Sequence, residues 1–136
     1  MPSFPLKIVP PAGLIYDGPA EMIVVRTMTG DMAVLARHIN CVCSLGMGRA
    51  IVEMEGKRRI AACIGGMLSV NNGEVTLVPT TFEWAEDIDL DRADRSHHDA
   101  MRDIMEARKS AAELRIAEAK IKRALVRKSV AREYQK

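Results

Sequence analysis

The sequence predicts an α+β protein: an N-terminal antiparallel β-sandwich followed by a C-terminal antiparallel two-helix hairpin, divided as residues 1–86 and 87–136. Three observations carry this reading. All nine glycines and all six prolines lie before residue 88. Within that stretch turn signals return about every 8 to 18 residues, the rhythm of a sandwich or barrel. Beyond it glycine and proline vanish, and apolar residues recur at intervals of three and four, the period of a helix.

The strands come first. Leu6-Lys7-Ile8 and Met22-Ile23-Val24-Val25-Arg26 alternate wholly or in part, and β-branched runs stand at Ala50-Ile51-Val52 and Val75-Thr76-Leu77-Val78. Between them lie Pro10-Pro11-Ala12-Gly13, Asp17-Gly18-Pro19, Thr29-Gly30-Asp31, Gly46-Met47-Gly48, Glu55-Gly56-Lys57 and Asn71-Asn72-Gly73. Asn72-Gly73 is the clearest hairpin turn. Aromatics are few, so Ile, Val, Leu, Met, Ala and Cys must fill the core. Gly65-Gly66 is followed by no Lys-Ser or Lys-Thr and opens no helix, so it reads as a bulge or a close backbone approach instead of a phosphate loop. Cys41 and Cys43, two apart, share one face of a strand and with Cys63 read as buried reduced thiols.

At Glu83-Trp84-Ala85-Glu86-Asp87-Ile88-Asp89-Leu90-Asp91-Arg92-Ala93 the chain changes character. Asp87 and Asp89 are N-cap candidates, and Asp91 and Asp94 add negative charge at the positive end of the helix dipole. A first helix runs from Leu90 to Lys109, with Ala93, His97, Met101 beside Ala100, Ile104 and Arg108 along one stripe. Ser110-Ala111-Ala112-Glu113 fits a capping box and starts a second helix that carries Leu114, Ala117, Ile121 and Ala124 or Leu125 on one face. One continuous helix of about 60 Å is the alternative. The small side chains of the stripe make a loosely held pair.

Charge is divided along the chain. Residues 1–88 carry seven basic and nine acidic groups, and residues 115–136 carry eight and two, so an acidic body precedes a basic tail. The basic face of the second helix is either solvated or a surface for an acidic, anionic-lipid or nucleic-acid partner. The chain lacks the aromatic platforms of single-strand binders. The longest uncharged run, Ile60–Gly73, is 14 residues, too short for a bilayer span, and the first residues lack a secretory pattern. A cytoplasmic setting is expected. No nucleophile and base are arranged for catalysis, and His97-His98 on a helix point apart, which argues against a metal site.

Taken in order, Leu6-Lys7-Ile8-Val9-Pro10-Pro11, Asp17-Gly18, Thr29-Gly30-Asp31-Met32-Ala33-Val34-Leu35, His38, Ile64-Gly65-Gly66-Met67-Leu68-Ser69-Val70, Val75-Thr76-Leu77 and Ala85-Glu86-Asp87-Ile88-Asp89 resemble the epsilon subunit of bacterial F-type ATP synthase. Lys122-Arg123-Ala124-Leu125-Val126-Arg127 extends the resemblance. The resemblance implies a non-catalytic subunit of the central rotor stalk of a proton- or sodium-translocating enzyme, on the cytoplasmic face of the bacterial plasma membrane. Its sandwich would bind the gamma subunit and the c ring, with Gly30 and Asp31 toward the ring and His38 near gamma. Its helices would swing up against the alpha and beta subunits and inhibit ATP hydrolysis.

The resemblance also implies a regulatory ATP site. Glu83, Ile88, Asp89, Arg92 and Ala93 match the motif of ATP-binding members, and Arg123 and Arg127 match two arginines of the second helix. Guanidinium groups at i and i+4 share a helix face and suit phosphate. No other cofactor is implied. Two departures stand out. Relatives that bind ATP have a further arginine where this chain has His98-Asp99, and an acidic group there opposes phosphate. The usual Pro-Gly-His-Ala-Pro is here Ala36-Arg37-His38-Ile39-Asn40.

Overall fold

A computed structural model describes residues 2–106 and 110–135. The chain forms two compact units, Met1–Trp84 and Ala85–Lys136. The first holds eight strands: β1 Phe4–Ile8, β2 Tyr16–Ala20, β3 Met22–Thr27, β4 Gly30–Leu35, β5 Cys41–Ser44, β6 Met47–Met54, β7 Lys57–Asn71 and β8 Glu74–Trp84.

Two long strands make the sandwich. The first half of β7 pairs with β6 and with the end of β8, and its second half pairs with β5 and with the start of β8. One layer therefore reads β4-β3-β6-β7-β8 and the other β2-β1-β8-β7-β5. The side-chain parity shows the bend. Ala61 and Cys63 of β7 enter the core, but further along it is Leu68 and Val70 that do so. Strand β8 changes likewise, from Val75 and Leu77 to Phe82 and Trp84. In an undistorted strand, period two would keep one parity throughout.

The switch occurs at Gly65-Gly66, with φ of 69° and 103°, opposite Pro79 and Thr80. A Cβ on Gly66 would run into the Val78 carbonyl oxygen and lie 2.6 Å from Pro79 Cα. The expected close approach is thus what folds the long hairpin into two layers. Leu45 N–H donates to Gly66 O at 2.9 Å and Gly65 N–H to Gly46 O at 3.0 Å, which satisfies the backbone at the corner.

The core is aliphatic, as expected, with Leu6, Ile8, Ile23, Val25, Val34, Val52, Leu68 and Leu77 fully buried. Asn72 and Gly73 have φ of 51° and 81°, the two positive values of a tight hairpin turn. Cys41 and Cys43 lie on one face of β5, half-buried against the core, and all three thiols are free. Burial pushes the Cys63 thiol up to about 12. One pairing differs from a purely antiparallel arrangement, since β1 runs parallel to β8. The pairing joins the two ends of the unit, which no local turn pattern encodes.

The second unit holds a 3-10 turn at Ala85–Asp87, then α1 Leu90–Met105 and α2 Ala111–Gln135. Of the two cap candidates it is Asp89 that starts α1, its Oδ1 accepting from Arg92 N–H at 3.0 Å, while Asp87 sits in the 3-10 turn. Ser110 Oγ accepts from Glu113 N–H at 3.2 Å, the N-cap half of the capping box. Contacts from Lys128 to Asp94 and His97 place the two helices side by side, so the single long helix is excluded.

The seam is narrower than expected. Ala93, Ala100, Ala117, Ala124 and Ala131 are buried and Ile104 and Ile121 half-buried, whereas Met101, Leu114 and Leu125 are exposed. Alanine lets the helices approach closely, which turns the longer side chains outward. Arg108, expected on the stripe, lies outside the described residues, and α1 ends at Met105, short of Lys109.

Candidate functional site

The residues matched to a nucleotide site fall in both units. Glu83 is a half-buried residue of β8, paired in register with Ala62. Ile88, half-buried, joins the 3-10 turn to α1. Asp89 spends one carboxylate oxygen on the cap, which leaves Arg92 exposed in the first turn of α1 and Ala93 buried in the helix seam. Arg123 and Arg127 are half-buried and one turn apart on α2. The fold therefore groups Ile88, Asp89, Arg92 and Ala93 at one helix start, and Arg123 and Arg127 on one helix face. The departure from the relatives is locally satisfied: His98 Nδ1–H donates to Asp94 O at 2.8 Å, and Asp99 pairs with Arg102 at 3.1 Å.

Between the helices the charged contact falls on residues that sequence reasoning had used otherwise. Lys128 Nζ lies 2.8 Å from Asp94 Oδ1 and donates to His97 Nδ1 at 3.2 Å. The Lys128 side chain is only 12% exposed, so these partners compensate its lost hydration. Its ammonium holds the Asp94 carboxyl below the usual carboxylate range, aided by Arg132 and His98. Helical spacing and charge alone put Asp94 at the helix dipole and His97 on the apolar stripe, and count Lys128 among the eight basic residues of 115–136. Helical spacing was the available signal, since residues 94 and 97 share a face at i and i+3. The facing partner depends on how the helices align.

On the sandwich, Gly30 opens β4 with φ of 131°, and its carbonyl accepts from Thr27 Oγ1 at 2.6 Å. Asp31 pairs with Arg26 Nε at 2.5 Å, and this guanidinium holds its carboxyl below the usual range. Met28, 73% exposed, crowns the turn. His38 is half-buried and donates from Nδ1 to Ile39 O at 2.8 Å. Arg37 beside it has φ of 66°, so an arginine keeps the left-handed conformation where the usual loop has glycine.

A surface that the sequence did not mark lies nearby in the β5-β7-β8 layer. Val42, Met67 and Val78 are all about half exposed or more. Met67 pairs directly with Val78, and Val42, paired with Ser69, is its diagonal neighbour on the outer face. The chain thus presents an apolar patch on one layer of the sandwich, besides Ile39 at 76% exposure in the neighbouring loop.

Comparison with known proteins bears on these surfaces. Residues 3–85 match the family described as the beta-sandwich domain of the ATP synthase Delta/Epsilon chain. The ATP synthase epsilon chain of Bacillus velezensis is 35% identical over 131 residues, which cover 96% of this chain and 98% of the relative. That of Caldanaerobacter subterraneus is 33% identical, covering 98% and 96%. That of Caldicellulosiruptor bescii is 37% identical over 93 residues, 68% of each chain. Among solved structures, a chain of the Euglena gracilis mitochondrial ATP synthase, OSCP/F1/c-ring, matches with a TM-score of 0.77 at 26% identity, covering 88% of this chain and 76% of that one.

Proposed function

The chain belongs to the epsilon-chain family of ATP synthase, and from that premise we propose that it is a non-catalytic central-stalk subunit with a regulatory hairpin. The sandwich associates with the gamma subunit and the c ring. Support comes from the exposed apolar groups Val42, Met67 and Val78 and from Met28 at the turn before Gly30 and Asp31, since exposed apolar clusters of this kind favour protein contacts. Gly30 and Asp31 face the ring and His38 the gamma subunit. The subunit sits peripherally at the cytoplasmic face of the bacterial plasma membrane; among the described residues no helix is long and apolar enough to cross a bilayer.

The helical unit restrains ATP hydrolysis by opening and docking on the alpha and beta subunits. The observation that carries this reading is the seam of alanines: a pair of helices joined through small side chains and one charged cluster buries little area and opens at small cost. ATP held within the helical unit by Ile88, Asp89, Arg92, Ala93, Arg123 and Arg127 favours the closed hairpin, because a ligand stabilises the state that binds it better.

The test uses the assembled enzyme. Deleting residues 89–136 raises its ATPase activity; unchanged hydrolysis at every nucleotide concentration overturns the inhibitory role. Titrating the full chain with ATP gives heat that Arg92→Ala abolishes, and a null titration at millimolar ATP removes the nucleotide site. No observation favours the basic face of α2 as a nucleic-acid surface.

A further inference from the structure

We propose that His97 is a proton-operated latch of the helical hairpin: neutral, it accepts a hydrogen bond from Lys128 and holds α2 to α1, and protonated, it repels that ammonium and loosens the pair. The geometry sets the polarity of the device. An ammonium has donors only, so at 3.2 Å the Nδ1 atom of His97 must supply a lone pair, which places the ring proton on Nε2. An imidazolium has no lone pair to offer and adds a second positive charge at the same spot.

The surroundings reinforce this polarity. From α2, His97 meets Lys128, with Arg132 one turn further along and near enough to act on Asp94. From α1 come Asp94 and His98, whose ring centroid lies 5.9 Å away. The one carboxylate of the group, Asp94, is already paired with Lys128 at 2.8 Å. The 3-10 turn packs on α2, and its acidic groups Glu86 and Asp87 are exposed. Cations from the facing helix therefore dominate the vicinity of the ring. Histidine is the side chain whose ordinary charge change falls nearest to neutral pH. The rest of the seam opposes release only weakly, since its buried members are alanines, flanked by the half-buried Ile104 and Ile121. The latch requires no bound nucleotide, although a ligand that favours the same closed hairpin opposes its release.

The test is amide hydrogen exchange followed by NMR on the full chain, corrected for intrinsic exchange rates. Protection of Ala100, Ala117 and Ala124 falls about tenfold between pH 7.5 and 5.5, the loss expected for one hydrogen bond involving a charged group. His97→Gln, which keeps an acceptor without a titrating ring, holds protection level across the range. His98→Gln, which leaves the contact between Lys128 and His97 in place, falls as the wild type does. Level protection in the wild type, or an undiminished fall in His97→Gln, overturns the proposal. Should His97→Gln fail to close, the wild type still decides: the His97 ring signals and the Lys128 amide must titrate with one midpoint, and two distinct midpoints overturn the latch.

Discussion

Gly66 lies against Pro79 so closely that a single added carbon on the glycine would stand 2.6 Å from the proline Cα. This contact holds the bend at which β7 and β8 pass from one layer to the other, and it couples a backbone torsion to the closure of the core. Gly66→Ala is expected to destabilise the sandwich by about 3 kcal/mol or more, because the chain must shift backbone and also hold alanine at a positive φ. Gly56→Ala provides the contrast. Its φ of 76° is also left-handed, but nothing lies within 4 Å, so the cost is about 1 kcal/mol. Urea unfolding of the full chain measures both.

Arg37 holds a left-handed backbone without the permission that glycine would have. Arg37→Gly is therefore expected to raise stability by about 1 kcal/mol, read as a higher urea midpoint. The loop should otherwise keep its form, with His38 still donating to the Ile39 carbonyl.

Asp94 has its carboxyl lowered chiefly by the hydrogen bond from Lys128. Its contribution to hairpin closure is thus complete above the pH at which a free carboxyl ionises, about 4, and is lost as pH falls through the lowered value. Asp94→Asn should weaken closure at neutral pH and abolish this acid limb. Amide exchange of α2 follows the change.

Ala124 sits at 1% exposure in the helix seam. Ala124→Leu adds a branched side chain at a fully buried position, and overpacking of this kind costs about 1–3 kcal/mol. The expected outcome is an opened hairpin with the sandwich intact. Exchange protection lost in α1 and α2 but retained in β7 would show it.

Much of this protein is legible in its residue order, because the relevant physics is local. Alternation and β-branched runs mark the strands, Asn72-Gly73 marks a turn, and Asp89 and Ser110 mark helix starts through bonds to amides three residues away. The ordered motifs likewise identify the family, since each is a short stretch with its own spacing. Tertiary structure decided what depends on residues distant in sequence. It paired β1 with β8 in parallel, turned Gly65-Gly66 into the corner of two layers, and brought Val42, Met67 and Val78 onto one outer face. In the hairpin, periodicity named the right face of each helix but not its register. Only the close approach that alanine allows sets Lys128 against Asp94 and His97, because the alignment of two helices is fixed by the side chains that meet between them and not by the order along either one.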